Sequence, residues 1–370
     1  MPRCGRKARH RVTSGSAGER GGQGLCPGGR RAVSDLDETR LLAWCVGHVP
    51  GFAGPIHVVK FPGGQSNPTY RVDAATGAYV LRRKPFGPIL ASAHAVDREY
   101  RLLSALYPSG FPVARPYALC EDVQVIGAPF YLMEMVEGRT LWDGALPGMA
   151  AGERTALYEA LVDTLARLHR IDPAAVGLGD YGKTGNYFAR QVERWTRQYR
   201  ASQTDDLPEI EALIAFLPRT VPEQTGISIV HGDYRIDNVL FAPDRPEILA
   251  VLDWELSTLG DPLADFSYFL MNWVTPPDAR SGVQGLAGVE TGIPTMEAMV
   301  ARYCAATGRA GVPDLDWYFA YNFFRLAGIV QGIKKRMRDG NASSAQAAAT
   351  VERLPGLAAA AWNFAQRAGA

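Results

Sequence analysis

Ile56–Phe61, Thr69–Val72 and Tyr79–Arg82 are short runs rich in β-branched and aromatic residues, bounded by Gly, Pro and Asn, and read as strands. Apolar runs at Val123–Ile126 and Phe130–Val136 flank Gly127-Ala128-Pro129 and are expected to close a further hairpin. Between these strands, the segment from His94 to Tyr107 reads as a helix, and Ser34-Asp35 is expected to cap an earlier one through Leu36, Leu41, Leu42 and Trp44. From Ala151 the spacing turns helical. Leu157, Leu161, Leu165 and Leu168 form one stripe that stops before Pro173. Tyr187–Arg200 carries Trp195 in its stripe, with Arg190, Arg194, Arg197 and Arg200 outside it. Ile210–Leu217, Trp317–Met337 and an Ala-rich helix over Ala345–Ala368, kinked near Pro355, complete the helical part. Three short apolar stretches, Ile227–Val230, Val239–Phe241 and Ile248–Leu252, interrupt it as strands, the last two joined by a turn at Pro243-Asp244-Arg245-Pro246.

The chain has 370 residues, 47% hydrophobic and 21% charged, the composition of an ordinary globular protein long enough for two lobes. Residues 1–31 hold eight Arg or Lys against Glu19 alone, so a whole-chain charge of +1 conceals a mildly acidic body, which argues against nucleic acid as a partner. Residues 1–33 are rich in Gly, Arg and Ser and are expected to form a disordered basic tail. Five scattered cysteines without a CxxC pair argue against a disulfide framework or a zinc site and fit a cytoplasmic location. No apolar run approaches the roughly 20 residues that span a bilayer, so no membrane partner is expected.

Candidate chemistry gathers at His231-Gly232-Asp233-Tyr234-Arg235-Ile236-Asp237-Asn238 and at Asp253. A carboxylate opens a loop, an amide follows five residues on, and a second carboxylate ends a hairpin twenty residues after the first. Phosphoryl transfer needs such parts: one Asp to orient a hydroxyl and take its proton, an Asn and another Asp to hold Mg²⁺ against nucleotide phosphates. Upstream, Pro62-Gly63-Gly64-Gln65-Ser66-Asn67 is a hairpin tip able to lay backbone N–H groups, the Ser66 hydroxyl and Asn67 over phosphates. Arg82 ends a strand as a phosphate-side base, Glu99 on the following helix is its expected partner, and the backbone near Glu134 and Val136 is the expected hinge for an adenine edge. Asp261 and Asp265 read as braces for the loop, and His169 as structural.

Taken together, these residues resemble the aminoglycoside phosphotransferase/choline kinase superfamily over about residues 40–340, and within it the phosphotransferase domain fused to some acyl-CoA dehydrogenases. Phe61–Asn67, Tyr79-Val80-Leu81-Arg82-Arg83, His231–Arg235, Asp237-Asn238, Arg325–Ile329, Gln331-Gly332-Ile333 and Gly340–Ser343 carry the resemblance. A domain that stands without a dehydrogenase portion is the expectation here. The resemblance implies an α+β, protein-kinase-like fold: a nucleotide-binding N-lobe over 34–135 with an antiparallel sheet and one main helix, and a mostly helical C-lobe over 136–370. It implies ATP and Mg²⁺ as cofactors, Asp233 as catalytic base, Asn238 and Asp253 as metal ligands, and Arg82 with Glu99 as the phosphate-side pair. The acceptor would be a small-molecule hydroxyl, with that of a hydroxyacyl-CoA or hydroxy acid as the sharpest expectation, and the protein a monomer or homodimer. An aminoglycoside or choline-type kinase and a silent nucleotide-binding pseudokinase are the alternatives.

Overall fold

The computed structural model describes residues 36–62, 67–86, 95–277, 281–340 and 345–370; the basic tail and Ser66 lie outside them. Helix α1 (Glu38–His48) is capped by Asp37, whose carboxylate accepts from the Arg40 N–H, so the cap lies just beyond the Ser34-Asp35 pair expected to supply it. Strands β1 (Ile56–Lys60), β2 (Thr69–Ala74) and β3 (Gly77–Arg83) follow, then helix α2 (Val96–Leu106). Strand β4 (Pro116–Cys120), the short helix α3 (Val123–Ile126) and strand β5 (Phe130–Glu134) complete this part. The strands form one antiparallel sheet in the order β1-β2-β3-β5-β4.

The expected partner of β5 is corrected here. Val123–Ile126 is helical because Asp122 caps it through the Gln124 N–H and Gly127, at φ +84°, ends it in the left-handed region. The true partner, β4, begins at a proline and carries a register shift between Pro116 and Ala118, so its alternation is poor.

Register decides which side chains meet. Leu81 lies opposite Leu132 and packs towards α1 with Leu41, Cys45, Val58 and Val72. The neighbouring positions, Val80 opposite Met133 and Arg82 opposite Tyr131, turn to the other face, where α2 packs Leu102, Leu103 and Leu106 beside Tyr131. Arg83, back on the first face, is buried and donates to the Tyr70 hydroxyl.

The larger part is mostly helical: α4 (Ala151–Arg170), α5 (Tyr187–Ser202), α6 (Pro208–Phe216), α7 (Leu263–Leu270), α8 (Met296–Thr307), α9 (Leu315–Arg338), α10 (Ala345–Glu352) and α11 (Leu354–Arg367). Helix α9 is the spine, with α5, α7 and α11 packed along it and Trp317, Phe319, Phe323 and Phe324 in its buried face. Two small antiparallel ribbons sit between α6 and α7: β6 (Ser228–Val230) with β9 (Thr258–Gly260), and β7 (Val239–Phe241) with β8 (Ile248–Val251). No helix among the described residues is long and apolar enough to cross a membrane.

Candidate active site

The loop after β6 is tied down residue by residue. His231 is fully buried, and both of its ring nitrogens are engaged: Nε2–H donates to the Leu252 carbonyl at 2.7 Å and Nδ1 accepts from the Asp233 N–H at 3.2 Å. A carbonyl only accepts and a peptide N–H only donates, so these contacts fix the tautomer. The histidine thereby joins the loop to the residue just before Asp253. Gly232 sits at φ +87°, and a Cβ there would stand 2.9 Å from the Leu256 carbonyl oxygen, so the turn admits only glycine. Asp265, on α7, accepts from the His231 and Gly232 N–H groups at 2.6 and 2.7 Å and pairs with His169 at 3.4 Å. Burial alone would raise the Asp265 pKa, but the hydrogen bond and charge interaction with His169 and the Gly232 N–H outweigh it and hold the carboxyl below its ordinary range.

That brace has a measurable consequence. A carboxylate with a depressed pKa contributes stability that is complete above the unfolded value, about 4, and is lost as pH falls through the lower folded value. Asp265→Asn removes the charge and offers a donor where two backbone donors converge. It is expected to cost about 1.5–3 kcal/mol in urea denaturation at neutral pH, with the difference from wild type shrinking in acid.

Asp233 itself is held from three sides. The Tyr268 hydroxyl donates to Oδ1 at 2.9 Å, Arg235 Nε lies 3.2 Å from the same oxygen, and the Asn238 amide donates to Oδ2 at 3.0 Å. The Asn238 amide also donates to the Asp233 carbonyl at 2.8 Å, closing the loop on itself. Burial and then the Asp233 charge push the Tyr268 phenol upward, which keeps it a donor. Tyr268 was not singled out from sequence, and Arg235 stands in the candidate stretch without an assigned role. Tyr268 had a readable signal, since it stands three residues after Asp265 on α7 and so shares its helix face.

Asp253 follows β8. Val239 pairs with Val251, and the Leu252 N–H donates to the Asn238 carbonyl at 2.8 Å, so the hairpin register sets Asn238 beside Asp253. Asp253 adopts a left-handed backbone at φ +61°, a conformation that Asp tolerates better than most residues. Its Oδ1 accepts from Arg82 Nη2 at 2.8 Å. Arg82 Nε lies 3.2 Å from Glu99, which is 3% exposed, and Glu255 approaches Arg82 at 3.8 Å. Burial raises the Glu99 pKa and the Arg82 charge pulls against it, leaving a net upward shift.

These groups border a cavity of about 560 Å³ between the sheet and the helical part. Arg82, Glu99, Glu134, Val136, Asn238 and Asp253 all line it, together with apolar Val80, Met133 and Leu240. Asp233 and Asn67 are not in its wall. Asp233 reaches it through Asn238, while Asn67 is buried with its amide oxygen unpartnered among the described residues. At the hinge, the Glu134 N–H is taken by the Arg115 carbonyl, whereas Val136 has no backbone hydrogen-bond partner among the described residues.

Whether the residues suit Mg²⁺ can be read from their atoms. Asn238 commits its nitrogen to Asp233, leaving its amide oxygen, and Asp253 commits Oδ1 to Arg82, leaving Oδ2. Two hard oxygen donors beside a cavity suit an ion that draws the rest of its shell from phosphate and water. No all-protein cage of three or more His, Cys, Asp or Glu exists among the described residues.

A family model described as "Phosphotransferase enzyme family" matches residues 57–300. Acyl-CoA dehydrogenase family member 10 of Mus musculus is 44% identical over 319 residues, covering 85% of this chain but only 30% of its own length. A crystal structure of a Ralstonia eutropha protein, provisionally named an aminoglycoside phosphotransferase, is 48% identical with a TM-score of 0.84, over 90% of this chain and 99% of that one. A spectinomycin phosphotransferase crystallised with ADP and spectinomycin shares the fold at a TM-score of 0.58 and 12% identity, over 89% of this chain and 98% of its own.

Proposed function

The chain belongs to the phosphotransferase enzyme family and is by that membership a small-molecule kinase, and from that premise we propose that it moves the γ-phosphoryl group of ATP to a hydroxyl, with Asp233 as base. The observation that carries this reading is the meeting of two pairs across one hairpin: Asp233 bonded to Asn238, and Asp253 bonded to Arg82, at the 560 Å³ cavity. The adenine would lie between Val80 and Leu240 with its edge at Val136, and the lobes would divide after Met135. Arg82, fixed by Glu99, would meet the phosphates. Asn238 and Asp253 would hold Mg²⁺, which when bound neutralises charge on the transferring group.

Asp233 would orient the acceptor hydroxyl and take its proton as that oxygen bonds to the γ-phosphorus and the bond to the β–γ bridging oxygen breaks, releasing ADP. Tyr268 and Asn238 keep the carboxylate aimed throughout. The mouse relative supports a hydroxyacyl-CoA or a hydroxy acid as the acceptor, because its name places this domain beside acyl-CoA chemistry.

The test is incubation with ATP and Mg²⁺ against 4-hydroxyacyl-CoA, 4-hydroxy acids, an aminoglycoside and choline, with products weighed by mass spectrometry. Gain of one phosphate on a hydroxyacyl compound is expected. Transfer to the aminoglycoside or choline alone would replace the acceptor assignment. Nucleotide binding with no transfer to any would make this a silent pseudokinase.

A further inference from the structure

A second cavity, of about 630 Å³, opens on the other side of the catalytic loop. Residues 253 and 254 line the first cavity, while 255, 256 and 257 line the second, so one short turn is the partition between them. Gly232, next to Asp233, also lines the second. Its lining is dominated by four arginines, Arg98, Arg194, Arg197 and Arg325, against the single carboxylate of Glu255. Glu255 already faces Arg82 at 3.8 Å. None of the four arginines has an ion pair among the described residues. Arg98, Arg194 and Arg197 are exposed, Arg98 donating to the Tyr181 carbonyl at 2.7 Å with its guanidinium 4.2 Å from that ring. Arg325 is deeper: its Nη2 donates to the Gly232 carbonyl at 2.6 Å, and its guanidinium lies 5.0 Å from the ring of Tyr268, the residue that bonds Asp233.

Four arginines on one concave surface, against the single carboxylate of Glu255, make a local positive field that an anion relieves. Planar forks of this kind grip carboxylate and phosphate oxygens in pairs. An ammonium-bearing acceptor would be repelled there. We infer that this arginine-lined cavity binds the phosphoryl acceptor by an anionic group, a carboxylate or a phosphate, and that Arg194 and Arg197 set this specificity. The inference rests on the phosphotransferase reading of the Asp233 site, because the cavity touches the loop that carries that base.

The test is calorimetric and needs no turnover. Coenzyme A, 4-hydroxybutyrate and neutral 1,4-butanediol are titrated into wild-type protein and into an Arg194→Ala/Arg197→Ala variant, with and without MgADP. Both positions are solvent-exposed, and circular dichroism checks that the variant folds. At least one anion is expected to bind wild type about tenfold or more tightly than the diol, to lose about tenfold or more in the variant, and to weaken with added salt. Loss confined to coenzyme A identifies phosphate as the anchoring group; loss confined to hydroxybutyrate identifies carboxylate. Anions that bind no better than the diol, or that bind the variant as tightly as wild type, overturn the inference. Failure of MgADP to bind would instead count against the kinase reading and leaves the anion titrations interpretable.

Discussion

Asp233→Asn is expected to lower kcat by about 10²–10⁴-fold, the usual contribution of a positioned acid–base group, while MgADP affinity stays within about twofold. The amide keeps the shape of the carboxylate and still accepts from the Tyr268 hydroxyl at one oxygen. What it loses is the capacity to take a proton and the charge that faces Arg235. The loop should hold, since its anchors are His231 and Asp265 rather than the Asp233 side chain. Steady-state kinetics beside nucleotide calorimetry separates the two effects. A variant turning over near the wild-type rate would move the base elsewhere, and one that lost nucleotide binding would make residue 233 part of the nucleotide cavity.

The second large effect is on stability. Arg82→Met deletes the cation that holds buried Glu99 and reaches Asp253. Breaking a buried pair by removing one member costs about 3–5 kcal/mol, because the remaining charge is stranded. Glu99 already sits above its ordinary pKa from burial, with Arg82 pulling it down, so the substitution drives it higher still. An acid whose folded pKa exceeds its unfolded value, about 4.3, destabilises progressively as pH rises from the unfolded value through the folded one. Urea denaturation should therefore show a larger penalty at pH 8 than at pH 5. A penalty independent of pH would mean that Arg82 acts through packing alone.

How much of this was legible in the residues depends on the range of the interaction. The strand geometry of β3 told that Arg82 and Arg83 take opposite faces, and the run of apolar residues with a Pro turn told that Asn238 and Asp253 flank one hairpin. Those are local patterns. Strand β4 escaped because a proline and a register shift blur its period, and α3 was mistaken for a strand because four residues are too few to distinguish the two periods. Tyr268 escaped for a different reason: it is 35 residues from Asp233 and is brought in by the packing of α7 under the loop. The arginine cavity is assembled from three separate helices, α2, α5 and α9, and from sequence Arg194 and Arg197 read only as lying outside the apolar stripe of their own helix.

In the proposed site, Asn238 and Asp253 together would hold one cation beside the nucleotide. ADP affinity measured by calorimetry with and without Mg²⁺, in wild type and in Asn238→Ala/Asp253→Ala, tests it most directly. Mg²⁺ should tighten ADP binding in wild type, by about tenfold or more, and have no effect in the double variant. An equal Mg²⁺ effect in both proteins, or none in wild type, would contradict it.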